Sequence, residues 1–159
     1  MMKIVLARID DRLIHGQVAT IWTKVTGCER IIVCDDEVAG DSIRKTLLTQ
    51  VAPPGIKASV VDVDKAIRAY KNPKYEGVKA LLLFTNPMSV LRMVEGGVNI
   101  TSVNIGGMSF KEGKTQLTQA VSVNEEDKKA FEALHAKGIE LEIRKVDSDT
   151  KVDLMSVLK

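Results

Sequence analysis

Short apolar runs alternate with segments of helical periodicity along most of the chain. Runs rich in apolar residues at 3–9, 30–34, 57–62, 78–84 and 101–105 predict strands. Helical patterns at 17–25, 42–51, 64–70 and 88–95 separate them. Because strands that alternate with helices are joined by crossovers, the pattern predicts a mostly parallel sheet with helices on both faces.

The last third of the chain departs from this simple alternation. Residues 114–122 predict a hairpin-like strand, and residues 124–137 predict an amphipathic helix that buries Phe131 and Leu134. Residues 139–146 alternate strictly, which predicts a last strand at a sheet edge with one face in water. A short helix is predicted at 152–158. The whole pattern predicts a single three-layer α/β/α domain over residues 1–159, with an open sheet of about six or seven strands.

Capping signals mark where several helices begin and end. Asp41 or Ser42 is placed to cap the helix that follows, and the sequence APPG ends that helix. Asn86 and Pro87 supply a cap and a first-turn proline for the next one. The intervening sequence DDEVAGD predicts a turn.

Composition removes several classes of function. The chain has 159 residues and a net charge of +2 from 23 basic and 21 acidic residues, and only 4% of its residues are aromatic. This balance gives no basis for nucleic-acid binding. No apolar run approaches the roughly 20 residues that cross a bilayer, and the amino-terminal sequence lacks a signal-peptide pattern. Cys28 and Cys34 are interpreted as reduced thiols of a cytosolic protein, with Cys34 in the core.

The sequence RIDDRLIHGQV, residues 8–18, carries the strongest chemical signal. It follows the first predicted strand, at the sheet edge where open α/β sheets bind ligands. It also leads into a predicted helix, whose first N–H groups attract anions. Neither glycine fingerprint of nucleotide-binding loops occurs there. The loop offers Arg12 and His15 instead.

These residue types suit a phosphoryl acceptor. A neutral imidazole is a nucleophile, and arginine forks with helix amides stabilise the charge of a phosphoryl group. Gly16 allows close approach of the backbone, and Asp10 or Asp11 can hold one ring nitrogen of His15 while the other attacks. The candidate phosphate-binding set is Arg12 with the amides of Ile14, Gly16 and Gln17. The chemistry needs neither nucleotide nor metal.

Other interpretations of the same residues stay open at this point. His15 can be a capping or packed histidine, and Arg12 with Asp10 or Asp11 a surface ion pair of little energetic value. The same loop also suits a non-catalytic regulatory module that binds a small anion. A dinucleotide-dependent enzyme would require the glycine fingerprint that is absent.

Several stretches together resemble one known family. RIDDRLIHGQV followed by ATIWTK resembles the phosphorylation-site motif of the IIB components of the mannose/sorbose family of the bacterial sugar phosphotransferase system. The likeness covers nearly the whole chain and is closest to the mannose-type B domain. It extends through DSIRKTLLTQVAPPG, LLLFTNP, VEGGV, VNIGGMSF and HAKGIELEIRKV.

The resemblance implies a role for each part of the motif. His15 corresponds to the histidine that takes a phosphoryl group on Nδ1 from a phosphohistidine of the IIA partner. It then passes the group to a hexose, such as mannose, held by the membrane components IIC and IID. Arg12 corresponds to the arginine that holds the phosphate, and Arg44 to one linked to transfer. Without the resemblance, Arg44 would be interpreted as a solvated helix charge. A cytoplasmic protein that meets the membrane through IIC and IID is expected, without a cofactor.

Three polar residues follow other predicted strands at the same edge of the sheet. Thr85 is expected to contact the phosphate or to shape the pocket. Asp35 and Asp36 are expected to order their loop or to lie at the surface.

The remaining distinctive residues are expected to be structural. Trp22 is expected to pack in the core, with partner docking as the alternative. Gly106 and Gly107 are expected to permit a tight turn, with lining of the site as the alternative. His135 is expected to be a solvated surface residue.

Overall fold

Strands and helices alternate as the apolar pattern predicts. The structure is a computed structural model that describes residues 1–16 and 18–158. The strands are β1 Lys3–Asp10, β2 Arg30–Cys34, β3 Lys57–Val61, β4 Lys79–Phe84, β5 Ser102–Gly107, β6 Thr115–Gln116, β7 Ser122–Val123, β8 Glu140–Ile143 and β9 Val152–Asp153.

The helices lie between these strands. A π-helix, Val18–Trp22, continues directly as α1, Thr23–Thr26. The others are α2 Asp36–Ala39, α3 Ser42–Gln50, α4 Val63–Lys71, a 3₁₀-helix Pro73–Tyr75, α5 Pro87–Glu95, α6 Glu125–Ala136 and α7 Leu154–Val157. The predicted caps are confirmed, since Asp41 accepts the N–H of Arg44 and Asn86 accepts that of Ser89.

The described residues form a seven-stranded sheet in the order β3–β2–β4–β1–β5–β8–β9. All neighbouring strands are parallel except β8 and β9, and β6 pairs with β7 as the predicted hairpin. Strand β1 therefore lies inside the sheet, between β4 and β5. These strands are parallel, so the loops that follow β1, β2, β4 and β5 all emerge at the carboxyl ends of the strands, on the same side of the domain.

Two apolar clusters cover the two faces of the sheet. One packs side chains such as Ile9, Phe84 and Ile105 against α4, α5 and α6, and it includes the predicted Phe131 and Leu134. The other packs side chains such as Ile31 and Leu83 against the π-helix, and it includes Leu13 and Trp22. The predicted α/β/α fold is confirmed.

The prediction that the last long strand lies at the edge with one wet face is wrong. Strand β8 lies between β5 and β9, and its side chains Leu141, Glu142 and Ile143 are all buried. The strict alternation misleads because Glu142 is buried with hydrogen-bond partners, Asn104 and Arg144.

Two shorter elements also differ from the prediction. The sequence DDEVAGD contains the short helix α2, which begins where the Asp35 side chain accepts the N–H of Val38. The segment 152–158 begins with β9, and only Leu154–Val157 is helical.

Candidate functional site

The loop after β1 has a constrained backbone. Asp11 donates its N–H to the oxygen of Gly107 at 3.1 Å, and Leu13 donates to the oxygen of Asp10 at 2.9 Å. Leu13 has a φ of 60°, a left-handed conformation that costs an L-residue roughly 1–2 kcal/mol. Its side chain is fully buried in the apolar cluster beneath the loop. Packing therefore compensates for the backbone strain just before His15.

The carboxylate of Asp10 is the centre of the site. It is fully buried, and its Oδ2 accepts hydrogen bonds from three described side chains: His15 Nε2 at 2.8 Å, Arg8 Nη2 at 3.0 Å and Arg12 Nη2 at 3.2 Å. Its Oδ1 accepts from Arg12 Nε at 3.2 Å and from the Arg12 N–H at 3.1 Å. Of the two aspartates that sequence allowed, Asp10 is the one that holds His15.

The state of Asp10 determines the tautomer of His15. Burial by itself raises the pKa of Asp10. Hydrogen bonds from Arg12 and His15 and the charge of Arg8 outweigh burial and leave that pKa below its ordinary value. An ionised carboxylate can only accept, so His15 donates through Nε2. In the neutral imidazole, the lone pair is then on Nδ1.

A buried polar network lies behind Asp10, and sequence reasoning missed it. Arg8 donates to Asp10, to Asn104 Oδ1 and to the main-chain oxygen of Arg144. Glu142 accepts from Asn104 at 3.1 Å and from Arg144 at 2.9 Å. The only sequence signal was period two, which places Arg8 on the same strand face as Asp10.

Trp22 has the packing role that was expected and is buried, which excludes the docking alternative. The centroid of its indole ring lies 5.2 Å from Arg8 Cζ and 5.4 Å from Arg144 Cζ, within the range of cation–π contacts. Its Nε1 donates to the oxygen of Lys145 at 2.9 Å.

The interpretation of Gly106 and Gly107 as a tight turn is wrong. Both lie in β5, and neither has a positive φ. A Cβ at Gly106 would lie 2.1 Å from Arg8 Nη2, so this position has to be a glycine for the guanidinium to fit. A Cβ at Gly107 would lie 3.5 Å from Asp10 Oδ1, which is ordinary contact next to the site.

A cleft of about 550 Å³ lies beside the loop. Arg12 and Arg44 line it together, although they come from the loop after β1 and from α3. His15 is not among the described lining residues and is linked to the cleft through Asp10, which also binds Arg12. The other lining residues are Asp11, Asp35, Glu37, Val38, Thr85, Asn86, Met88, Ser109, Lys111, Lys114, Asn124 and Asp127.

Thr85 shapes the cleft together with the loop after β2. Its hydroxyl donates to Asp35 and accepts from Asn86 Nδ2 at 3.1 Å. Asp36 accepts the N–H of Val63 at 2.9 Å and also pairs with Arg92. The loop-ordering role expected for Asp35 and Asp36 is confirmed.

The remaining candidates near His15 have different environments. Asp11 accepts from the N–H of Ser109 at 2.7 Å and joins the loop after β1 to the loop after β5. The Ile14 side chain is buried, and a Cβ at Gly16 would meet no described atom within 4 Å. Gln17 lies outside the described residues.

The expected positions of His135 at the surface and of Cys34 in the core are confirmed. His135 is exposed on α6, and Cys28 and Cys34 are buried free thiols. Burial raises the pKa of the Cys34 thiol. Across residues 1–16 and 18–158, no three His, Cys, Asp or Glu side chains gather as a metal site. The same residues contain no helix long and apolar enough to span a membrane.

Fold and site together define an α/β protein with a histidine held by a buried carboxylate beside an arginine-lined cleft. Residues 4–159 match the family model described as "PTS system sorbose subfamily IIB component". The chain belongs to this family.

Individual relatives agree with the family match. The mannose-specific EIIAB component of Escherichia coli K12 is 66% identical over 157 residues, which are 99% of this chain and 49% of that protein. The chain thus spans about half the length of the mannose-specific relatives it matches. The fructose-specific EIIB component of Bacillus subtilis is 52% identical, covering 100% of this chain and 98% of that protein. The crystal structure of the IIBSor domain of the Klebsiella pneumoniae sorbose permease is 52% identical with a TM-score of 0.95, covering 98% of this chain and 95% of that one.

We predict that Asp10→Asn destabilises the protein by about 3–5 kcal/mol at pH 7, because the buried Arg8 loses its hydrogen-bonded carboxylate. The pKa of Asp10 is lowered in the folded state. Its stabilising effect is therefore complete above the unfolded pKa of about 3.9 and disappears as the pH falls through the folded pKa. The deficit of the variant should shrink below about pH 4.

Urea denaturation from about pH 2.5 to 7 measures this difference. Asp64→Asn is the matched control, since Asp64 is an exposed partner of Arg92 and its loss should cost under about 1 kcal/mol. Equal stability of Asp10→Asn and wild type at pH 7 would contradict the central role of Asp10.

Proposed function

We propose that this chain is a phosphoryl carrier of a sugar phosphotransferase system, with His15 as the acceptor and later the donor. The observation that carries the proposal is the Nε2–Asp10 hydrogen bond of 2.8 Å, which leaves the lone pair of a neutral His15 on Nδ1. Family membership supports the same chemistry and does not favour a purely regulatory anion-binding module.

In the proposed step, the Nδ1 lone pair of His15 attacks the phosphorus of a phosphohistidine on a IIA partner. The new P–N bond forms as the old one breaks, and the electron pair of the old bond returns to the donor imidazole. Nε2 keeps its proton and donates it in a hydrogen bond to Asp10, so the carboxylate balances the positive charge that develops on the His15 ring. The phosphoryl group is carried covalently, and neither metal nor nucleotide takes part.

Cations beside His15 stabilise the transferring group. Arg12 is half-exposed and uses Nε and Nη2 on Asp10, which holds the guanidinium next to the histidine while it also lines the cleft. Arg44 supplies a second cation to that cleft. Main-chain amides of Ile14 and Gly16 complete the set, and the open space at Gly16 leaves room for phosphate.

The second half-reaction transfers the group to a sugar. A hydroxyl of a hexose held by IIC and IID attacks phospho-His15, so the chain works in the cytoplasm and meets the membrane through these partners. Mannose or a related hexose is the proposed sugar, because the relatives named for mannose, sorbose and fructose are 52–66% identical.

We predict that phosphoenolpyruvate, the general phosphotransferase proteins and a IIA partner add one phosphoryl group to the wild-type chain and none to His15→Ala. Intact-mass spectrometry under alkaline conditions measures the gain, which acid should remove. His135→Ala is the matched control because His135 is exposed on α6, and it should be labelled like the wild type. A label on His15→Ala would refute the assignment of His15. A folded wild type that takes no label from an active donor would favour the anion-binding module.

We predict that Arg12→Ala slows phosphoryl acceptance about 100-fold, because a preorganised donor to the developing charge is lost. Arg44→Ala should slow it less, since Arg44 lines the cleft but makes no side-chain hydrogen bond to Asp10 or His15 among the described residues. Rapid-quench labelling measures both rates. Arg68→Ala changes an exposed arginine of α4 and should leave the rate unchanged. An Arg12→Ala rate within a factor of two of wild type would remove Arg12 from the mechanism.

The donor protein is proposed to dock on the α3 side of the cleft. None of the nine residues of α3, all of them described, is buried, and Ile43 and Leu47 are 73% and 59% exposed one turn apart. Arg44 lies on the same helix and lines the cleft, so a partner that reaches the cleft past α3 covers this apolar pair.

We predict that Ile43→Asp combined with Leu47→Asp raises the IIA concentration for half-maximal transfer about tenfold or more, with the maximal rate kept. The loss arises because charge replaces apolar contact area. Val25→Asp is the matched control. Val25 is 51% exposed on α1, which ends just before β2 begins, so it lies near the amino ends of the strands and away from the cleft. An unchanged half-maximal concentration in the α3 variant would place the donor elsewhere.

A further inference from the structure

Arg8 is the one arginine that is fully buried among the described residues, and the proposed reaction gives it no task. Removing a guanidinium from water carries a large desolvation penalty, and an apolar side chain of similar volume fills a core at lower cost. Packing alone therefore does not explain a buried arginine at this position. A role for its charge on a neighbouring group would explain it.

The surroundings of Arg8 are shaped to hold its guanidinium in one place. Nη1 donates to Asn104 and to the oxygen of Arg144 at 3.2 Å, while Nη2 donates to Asp10 at 3.0 Å. The Trp22 ring lies 5.2 Å from Cζ. Gly106 leaves the space that a Cβ would fill, since that Cβ would come within 2.1–2.7 Å of three guanidinium atoms.

Arg8 and His15 donate to the same atom, Oδ2 of Asp10, at 3.0 and 2.8 Å. A carboxylate oxygen that already binds a buried cation is a weaker base toward a second donor. Asp10 can then orient the Nε2–H of His15 without drawing its proton away. Because these hydrogen bonds hold the Arg8 guanidinium, they also set the direction in which Oδ2 faces the imidazole.

We propose that Arg8 is a positioning residue for His15: it fixes and partly neutralises Asp10 from inside the sheet, so that the imidazole keeps its proton on Nε2 and its lone pair on Nδ1. Gly106 in β5 contributes by leaving the space that the Arg8 guanidinium occupies. This inference rests on the phosphoryl acceptance proposed for His15.

The charged groups around this unit define what a pH measurement reports. Asp10, Arg12 and His15 belong to β1 and its loop, while Glu142 belongs to β8 and Arg144 follows it. Asn104 on β5 and Trp22 on the π-helix are neutral. Removal of Arg8 leaves Asp10 with Arg12 and His15 alone, so the protonated imidazole gains stability relative to the neutral one.

The test is Arg8→Met, examined by ¹⁵N NMR titration of the His15 ring and by the rate of labelling from the IIA donor across pH. We expect the His15 titration midpoint and the midpoint of labelling to rise together by about one pH unit. The maximal rate should fall about 10- to 100-fold, as expected for a misplaced reacting group. Phe131→Leu, a core change on the opposite sheet face, controls for general destabilisation and should move neither midpoint.

Two further variants keep the proposal testable if Arg8→Met does not fold. Arg8→Lys retains the charge but cannot make the same set of fixed hydrogen bonds. It should lower the rate about tenfold while the midpoints stay near those of wild type. Gly106→Ala should displace the guanidinium and also lower the rate in the wild-type background. In the Arg8→Met background the same substitution should have little further effect.

The outcomes separate this inference from the proposed function. If folded Arg8→Met and Arg8→Lys keep the wild-type midpoints and rate, Arg8 is structural only and the inference is overturned. Equal damage by Gly106→Ala in both backgrounds would overturn the role of Gly106. The NMR titration needs no phosphoryl donor. A raised His15 midpoint in a chain that never accepts label would refute the proposed function and retain the link between Arg8 and His15.

Discussion

The site depends on one constraint: the carboxylate of Asp10 must stay ionised although it is fully buried. Asp10 remains ionised because Arg8, Arg12 and His15 all donate to it, and their combined effect exceeds the penalty of burial. Each donor in turn receives its orientation from Asp10. The loop, the buried network and the histidine are therefore a single electrostatic unit, in which the loss of one member changes the others.

The sheet determines how this unit is assembled. Period two in β1 directs Arg8 and Asp10 to the face covered by the π-helix and Ile9 to the opposite apolar cluster. Because β1 lies between β4 and β5, the guanidinium can reach Asn104 on β5. An edge strand would leave Arg8 in contact with water, where its effect on Asp10 would be screened. The interior position of β1 thus keeps the electrostatic interaction between Arg8 and Asp10 from being screened by water.

Sequence predicts the parts of this structure that depend on local pattern. Spacing and residue type predict the alternating layers and the caps at Asp41 and Asn86. They also single out the loop around His15 as the segment with chemically active side chains. The predictions for Gly106 and for the strand that contains Glu142 were wrong, since the partners of both residues are distant in sequence. A buried Glu142 has the same alternation as a solvated one, and a glycine that accommodates Arg8 looks like a turn glycine. Arg44 entered only through family resemblance, because nothing local distinguishes it from other exposed helix charges.

The division between buried and exposed groups fits a protein that hands one group between two partners. Under the function proposed above, His15 meets a donor protein and then a sugar site, so it cannot lie in a closed pocket. Under the same proposal, the fully buried Arg8 and Asp10 fix the orientation of His15 from the interior, while Arg12 and Arg44 line the open cleft. Leu13 contributes in a similar way, because its buried side chain holds the strained backbone of a loop whose other residues stay accessible. The buried contacts beneath His15 thus provide the positioning that a closed pocket would otherwise provide.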